Sequence, residues 1–302
     1  MATTLRADLW APEVWADMAA AEFTGKAIVA TSTAVLTDDT LVGQPGETIN
    51  FPKWMELSEM QDVAETDVLV PEKLTQKASA ATIKEAGKAV EISDKASLVG
   101  LGNPQDEAVR QFGVLAARKV DADLITAAQV TVADGVKYAD GSAATASAPL
   151  THTITNADGA ITWDGIVDGL EKFGDDFEPS EFSGLYIRAE QRSQIMKDDA
   201  FIKASEVSAG GAGSMLRRGF IGEIAGLPVY VTNRLGSGKA LVLKQNSLGL
   251  FYKRRPIVEQ DRDILSRTTV VTTNLHYATK RVNDKGVLAL TIATGARSPW
   301  AC

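Results

Sequence analysis

The stretch that opens at Asn103-Pro104 constrains this chain more than any other. Asn103 is a good N-cap, Pro104 fits the first helical position, and Asp106 and Glu107 fill the first turn. Val109, Phe112, Ala116, Val120, Leu124 and Ala127 then recur at steps of three and four. The spacing predicts a helix from Pro104 to about Gln129, roughly 40 Å long at 1.5 Å per residue. That is longer than the average helix and reads as a spine.

The segments around it read differently. Residues 1–45 form an arm. Ala11-Pro12-Glu13-Val14-Trp15-Ala16-Asp17-Met18 looks like a helix start, with Val14, Met18 and Ala21 on one face. Ile28-Val29-Ala30 follows as a short extended piece. Between 46 and 92, Ile49, Phe51, Met55 and Leu57 fall on odd positions, a partial period of two that Pro52 interrupts. After Val68-Leu69-Val70-Pro71 comes a Lys/Thr/Ala-rich stretch that ends in Ala89-Val90-Glu91-Ile92. It has strand character but few large apolar residues along 78–88. So long a two-stranded excursion has little stability alone and must lie on its own domain or on a neighbour.

Residues 133–160, rich in Ala, Gly, Ser, Thr and Asp, read as a loop or small irregular strand pair and mark a lobe boundary. Thr162 is placed to cap a second helix bearing Ile166, Val167, Leu170 and Phe173. Leu185-Tyr186-Ile187 reads as a strand, 189–197 as a third helix and 208–214 as a loop. Two strands joined by a Gly turn are expected over 220–231. Short strands are expected at 240–243, 248–252 and 257–259, then longer ones at 268–282 and 287–292. Asn283-Asp284-Lys285-Gly286 between the last two is a hairpin signal, because Asn, Asp and Gly tolerate positive φ. The class is mixed α+β.

Composition narrows the function. The chain has 302 residues, 45% hydrophobic and 23% charged, which allows a sizeable core. A net charge of -8 argues against a dedicated nucleic-acid binder. The lone cysteine, Cys302, closes no intrachain disulfide, and with only His152 and His276 a Cys/His zinc site is excluded. No secretory signal opens the sequence, and no apolar run approaches the roughly 18 residues needed to span a bilayer. Synthesis in the cytoplasm is therefore expected.

Catalytic motifs fail one by one. Gly210-Gly211-Ala212-Gly213-Ser214 lacks the flanking strand and helix of a phosphate cradle. Gly236-Ser237-Gly238-Lys239 resembles the tail of a P-loop, but Asn233 stands where a glycine is needed and Ala240 where a hydroxyl would hold magnesium. Neither histidine has a nucleophile elbow beside it. Asp175-Asp176 and Asp198-Asp199 read as solvated acids near helix ends or loops. No catalytic, cofactor-binding or metal-binding residue emerges. Lys253-Arg254-Arg255 followed by Glu259-Gln260-Asp261-Arg262-Asp263 leaves three readings open: a solvated strand edge, an electrostatic seam between subunits, or DNA contact by the basic residues.

The order of these elements resembles that of the HK97-like major capsid proteins of tailed bacteriophages. Gly46-Glu47-Thr48-Ile49-Asn50-Phe51-Pro52 is similar to the start of that family's extended loop (E-loop), and Lys84-Glu85-Ala86-Gly87-Lys88-Ala89-Val90-Glu91-Ile92-Ser93-Asp94 to its return strand. Asn103-Pro104 through Ala116-Ala117-Arg118-Lys119-Val120-Asp121-Ala122-Asp123-Leu124 resembles the spine helix of the peripheral (P) domain. Gly222-Glu223-Ile224-Ala225-Gly226-Leu227-Pro228-Val229-Tyr230 resembles the hairpin of the axial (A) domain, and 272–282 with 287–292 the closing P-domain strands. Pro12-Glu13-Val14-Trp15 is similar to the N4-gp56-like branch.

The resemblance implies an N-terminal arm at 1–45, an E-loop at 46–92, a first P-domain part at 93–150, an A domain at 151–252 and P-domain return strands at 253–302. It implies a non-enzymatic shell subunit that assembles into the hexamers and pentamers of an icosahedral head around double-stranded DNA. Inter-subunit contacts are expected at Phe51, Pro52, Lys53, Trp54, Gly222, Gly226, Arg254, Arg255, Glu259 and Asp261. No cofactor is implied. The implied partners are further copies, a portal, decoration proteins, packaged DNA held weakly and non-specifically, and a separate scaffolding protein, or none, since the arm follows Met1 almost at once. Some members crosslink Lys to Asn; Lys53, Lys73 and Lys77 with Asn274 or Asn283 are the conceivable pairs, though nothing in the sequence shows the carboxylate geometry required. Encapsulin nanocompartments share the fold and are the alternative shell type.

Overall fold

The computed structural model describes residues 27–39, 42–43, 45–63, 68–99, 103–132, 136–156, 159–198 and 222–294. The helix expected at 11–18 and the loop expected at 208–214 lie outside them. In chain order the elements are β1 (Val35–Asp38), β2 (Thr48–Trp54), β3 (Gln76–Thr82), β4 (Lys84–Ser93), α1 (Asp94–Val99), α2 (Pro104–Gln129), β5 (Lys137–Tyr138), β6 (Leu150–Asn156) and α3 (Trp163–Leu170). They continue with β7 (Phe182–Ile187), α4 (Ala189–Met196), β8 (Glu223–Ile224), β9 (Leu227–Val231), β10 (Lys239–Lys244), β11 (Leu248–Asp263), β12 (Thr268–Arg281) and β13 (Val287–Thr294).

The spine helix α2 starts where its capping residues put it. The Asn103 side chain accepts from the Gln105 amide at 3.1 Å, Pro104 opens the first turn, and Glu107 pairs with Arg110 at 2.7 Å. Its apolar stripe is long enough to cover two sheets. Ala108, Val109 and Phe112 pack on Ile92, Val258 and Val271 of a four-stranded sheet ordered β1-β11-β12-β4. Ala116, Val120, Leu124 and Ala128 share a core with Tyr252, Leu275 and Tyr277 of that sheet. The same core takes in Tyr186, Leu241 and Leu243 of a six-stranded sheet ordered β6-β13-β10-β7-β9-β8.

The second sheet is covered on its other face by α3 and the short turns that follow it. Ile166, Leu170 and Phe173 bury there against Ile154, Leu185, Ile187, Val242 and Leu290. Thr162 caps α3 as expected, accepting from the Gly165 amide at 3.3 Å. Gly165 and Gly169 let the helix approach closely: a Cβ at either would come within 2.6 Å of Ile154 or Leu290. With both faces covered, every residue of β7 is buried, Ser183 included, and its apolar residues do not alternate with exposed polar ones. The expected glycine turn at 225–226 joins β8 to β9, with φ of 52° at Ala225 and 79° at Gly226.

Four expectations are corrected. Ile28-Val29-Ala30 is a turn, held because Asp121 of α2 accepts from the Ile28 and Ala30 amides at 2.8 and 3.0 Å. The short strands expected at 248–252 and 257–259 are one strand, β11, in which register shifts between Tyr252 and Ile257 absorb the Lys-Arg-Arg-Pro run. β4 does not return along the hairpin it follows; it pairs with β12 in the body. Finally, β12 and β13 do not pair across Asn283-Asp284-Lys285-Gly286: β12 belongs to the four-stranded sheet and β13 to the six-stranded one. Residue 252, where the sequence reading ends one lobe, lies inside β11.

Candidate assembly surface

Strands β2 and β3 pair antiparallel from Thr48↔Thr82 to Trp54↔Gln76, and β5 adds two residues at the hairpin's far edge. Burial alternates along β2, so the hairpin has one seated side and one open side. On the seated side the Phe51 ring lies 4.6 Å from that of Phe251, and Ile49, Phe51 and Ile83 pack on Ala81, Phe251 and Ala278. Lys53 pairs with Asp284 at 3.3 Å, the Lys280 ammonium donates to the Ala80 carbonyl at 3.0 Å, and Lys285 pairs with Glu56 at 2.6 Å.

Past Trp54 the described chain forms no strand until β3. Ser58 donates to Glu72 and Met55 to the Thr75 carbonyl, which closes the two arms of the excursion. Its apolar side chains are left in solvent: Val68 is 88% exposed, Leu69 76%, Val70 89%, and Trp54 64%. Six carboxylates, Glu56, Glu59, Asp62, Glu65, Asp67 and Glu72, stand in this stretch against one lysine, Lys73.

A groove opens elsewhere on the body, between α2 and β4, with a volume of about 430 Å³. Phe112, Ala116, Thr273 and Leu275 line it with the small residues Ala86 and Gly87 of β4. Because β4 carries no large apolar side chain there, the space beside α2 is unfilled. Leu115 is 42% exposed at its wall, and Lys88 and Lys119 also line it.

Three buried ionic residues tie these parts together, and none was singled out from sequence. Arg281 is 2% exposed. Its guanidinium donates to the carbonyls of Ala128 at 2.9 Å and Val130 at 2.8 Å, closing the C-terminal end of α2, and to Asp284 at 2.8 Å. Burial pushes the Asp284 carboxyl up, but Ser147, Arg281 and Lys53 outweigh it and hold it below the usual carboxylate range. Asp123 of α2 is desolvated as well, yet the Tyr277 hydroxyl at 2.7 Å and Lys119 at 3.0 Å keep it below that range. Asp121 is fully buried and holds the chain entering β1, with Arg234 at 3.5 Å. The only sequence signal for Asp121 and Asp123 is that they flank the apolar stripe of α2 at positions a packed helix would bury.

The residues expected at subunit contacts lie in three separate places. Phe51 and Lys53 face the chain's own body, whereas Pro52 and Trp54 point to solvent. Gly226 is exposed in the β8–β9 turn, whereas Gly222 precedes β8 and its carbonyl accepts from the Val229 amide at 3.2 Å. Arg254 donates to Asn274 at 2.6 Å and Arg255 to Asp39 at 2.6 Å, so both are engaged within the chain. Glu259 and Asp261 are exposed on β11. Among the described residues no group of three or more His, Cys, Asp or Glu is placed to hold a metal, and no helix is long and apolar enough to cross a membrane.

A long helix laid across two sheets, with a hairpin that leaves apolar side chains unburied, is the HK97-like capsid fold. The phage capsid protein family profile matches residues 76–290, and the chain belongs to that family. It is 30% identical over 288 residues, 94% of each chain, to the major capsid protein of Staphylococcus phage phiMR11. Solved structures share the fold at low identity. The capsid of Helicobacter pylori bacteriophage KHP30 matches with TM-score 0.66 and 9% identity over 90% of this chain and 91% of that one. The cyanophage Pam1 capsid matches with TM-score 0.65 and 15% identity over 91% and 93%. The chain is thus a major capsid protein, a structural component of the virion rather than an enzyme, and the nanocompartment alternative is not favoured.

Proposed function

We propose that copies of this chain close into an icosahedral head of hexamers and pentamers around double-stranded DNA, the hairpin end of one copy lying in the α2/β4 groove of the next. One observation carries the reading. Among its described residues the stretch beyond Trp54 carries exposed apolar side chains and acids, and the groove is largely apolar, its charged rim holding Lys88 and Lys119 against Glu85. Its apolar side chains gain burial only on another copy, and its carboxylates meet lysines there. Each subunit would then be held by several neighbours, so modest contacts multiply. The net charge of -8 keeps contact with packaged DNA weak and non-specific. A separate scaffolding protein, a portal and decoration proteins complete the assembly in the host cytoplasm. Glu259 and Asp261, exposed on β11, and the β8–β9 turn remain the further contact surfaces in this proposal.

Replacing 56–74 by a two-residue turn tests it. The excision spares β2, β3 and β4, so the subunit should fold, sediment as a small species and give no particles by electron microscopy. Normal particles from this variant would refute the role given to the hairpin end. Lys88→Glu should lower particle yield at least tenfold without unfolding the subunit, a difference of about 1.4 kcal/mol or more in association.

A further inference from the structure

The seat beneath the β2–β3 hairpin holds more positive charge than it can pair. Lys53 reaches it from β2 and Lys77 stands next along on β3; Lys280 and Arg281 reach it from β12. Among the described residues Asp284 is the one carboxylate in the seat, and it is shared between Lys53 at 3.3 Å and Arg281 at 2.8 Å. Lys280 is 8% exposed, donates to the Ala80 carbonyl on the hairpin, and forms no ion pair. Burial first, then Lys53 and Arg281, pull its ammonium below the usual lysine range, and Asp284 offsets them only in part. A buried cation with no acid in contact opposes the contact that buries it, whereas the Phe51–Phe251 packing and the Lys53–Asp284 pair favour that contact. The hairpin also has places to pivot. Gly46, at φ 126°, precedes β2, and Ile83 alone separates β3 from β4, which is fixed in another sheet.

We propose that the hairpin is spring-loaded: Lys280 beneath it favours a lifted position, Asp284 and Phe251 a seated one, and the near balance lets a neighbouring copy or scaffold decide between them. Lifting returns Lys280 to water and swings the hairpin about its two ends, with β5 carried on its edge, while the two larger sheets stay intact. The proposal concerns one chain and stands or falls independently of which surface the hairpin end docks on.

Hydrogen–deuterium exchange of the full-length unassembled subunit reads it directly, at the amides of 48–54 and 76–82, with α2 as the internal reference for global stability. Lys280→Met keeps the aliphatic stem and removes the charge. Hairpin exchange should slow about tenfold, and Lys53→Met, which removes the attractive pair, should speed it by a similar factor. Opposite signs are the signature, since a lysine that merely braced the hairpin would speed exchange when lost. Unchanged or faster hairpin exchange in Lys280→Met overturns the proposal. Lys280→Gln is the second neutral variant, and loss of the fold in both would overturn it too, by showing that the charge stabilises the seat.

Discussion

The six-stranded lobe and the β2–β3 hairpin are made by the same chain under opposite rules. In the lobe, Leu185, Tyr186 and Ile187 are each 0% exposed, and helices close both faces of the sheet. On the hairpin, a few residues near its base touch the body, and the end carries Val68 and Val70 almost wholly in water. The lobe has used its apolar surface in folding; the hairpin has kept it. A contiguous apolar stretch left in water on an otherwise satisfied subunit marks where association draws its free energy.

The comparison can be broken at the point where the two regions meet. Arg281→Met should have the largest effect, because it strips Asp284 of its closest ion-pair partner and reopens the end of α2. About 3–5 kcal/mol of stability should be lost, seen as a lower denaturant midpoint for body and hairpin together. Loss of hairpin protection alone would show that Arg281 serves only the hairpin. Tyr277→Phe should cost less, about 1.5–3 kcal/mol, the range for a hydrogen bond to a charged group. Asp123 sits below its ordinary value in the folded chain, so its contribution is whole above the unfolded carboxylate pKa of about 4 and fades as pH falls through the lowered folded value. The Phe variant should therefore unfold at a higher pH on acid titration, and an unchanged acid midpoint would remove Asp123 from the account. Leu69→Ser should be the mildest for the subunit, within about 0.5 kcal/mol of the parent in thermal unfolding, while still reducing particle yield. A large fall in subunit stability would mean that Leu69 is buried within its own chain.

The spine helix was legible almost to the residue, because capping chemistry and a 3.6-residue period are local signals that packing merely confirms. The α3 cap at Thr162 and the turn at Ala225-Gly226 were legible for the same reason. The course of the chain between sheets was not. Asn283-Asp284-Lys285-Gly286 announces a reversal, but its partners are Ser147 and Arg281, at 2.6 and 2.8 Å, and the chain leaves it for a different sheet. β4 reads as a hairpin strand because Ala86, Gly87 and Ala89 suit either neighbour, and only β12 settles which. At the contact residues, sequence could mark Phe51 and Lys53 as unusual in a polar strand. It could not tell that Phe251 and Asp284, some 200 positions away, would engage them within the same chain.

One 26-residue helix packed against both large sheets acts as a beam. The sheets cannot tilt against each other without tearing apart side chains that share a single core. A closed polyhedral surface asks its tiles to meet at more than one dihedral angle. In the proposed head, a tile braced in this way leaves that adjustment to the hairpin and the joints between copies, while its two large sheets keep one arrangement.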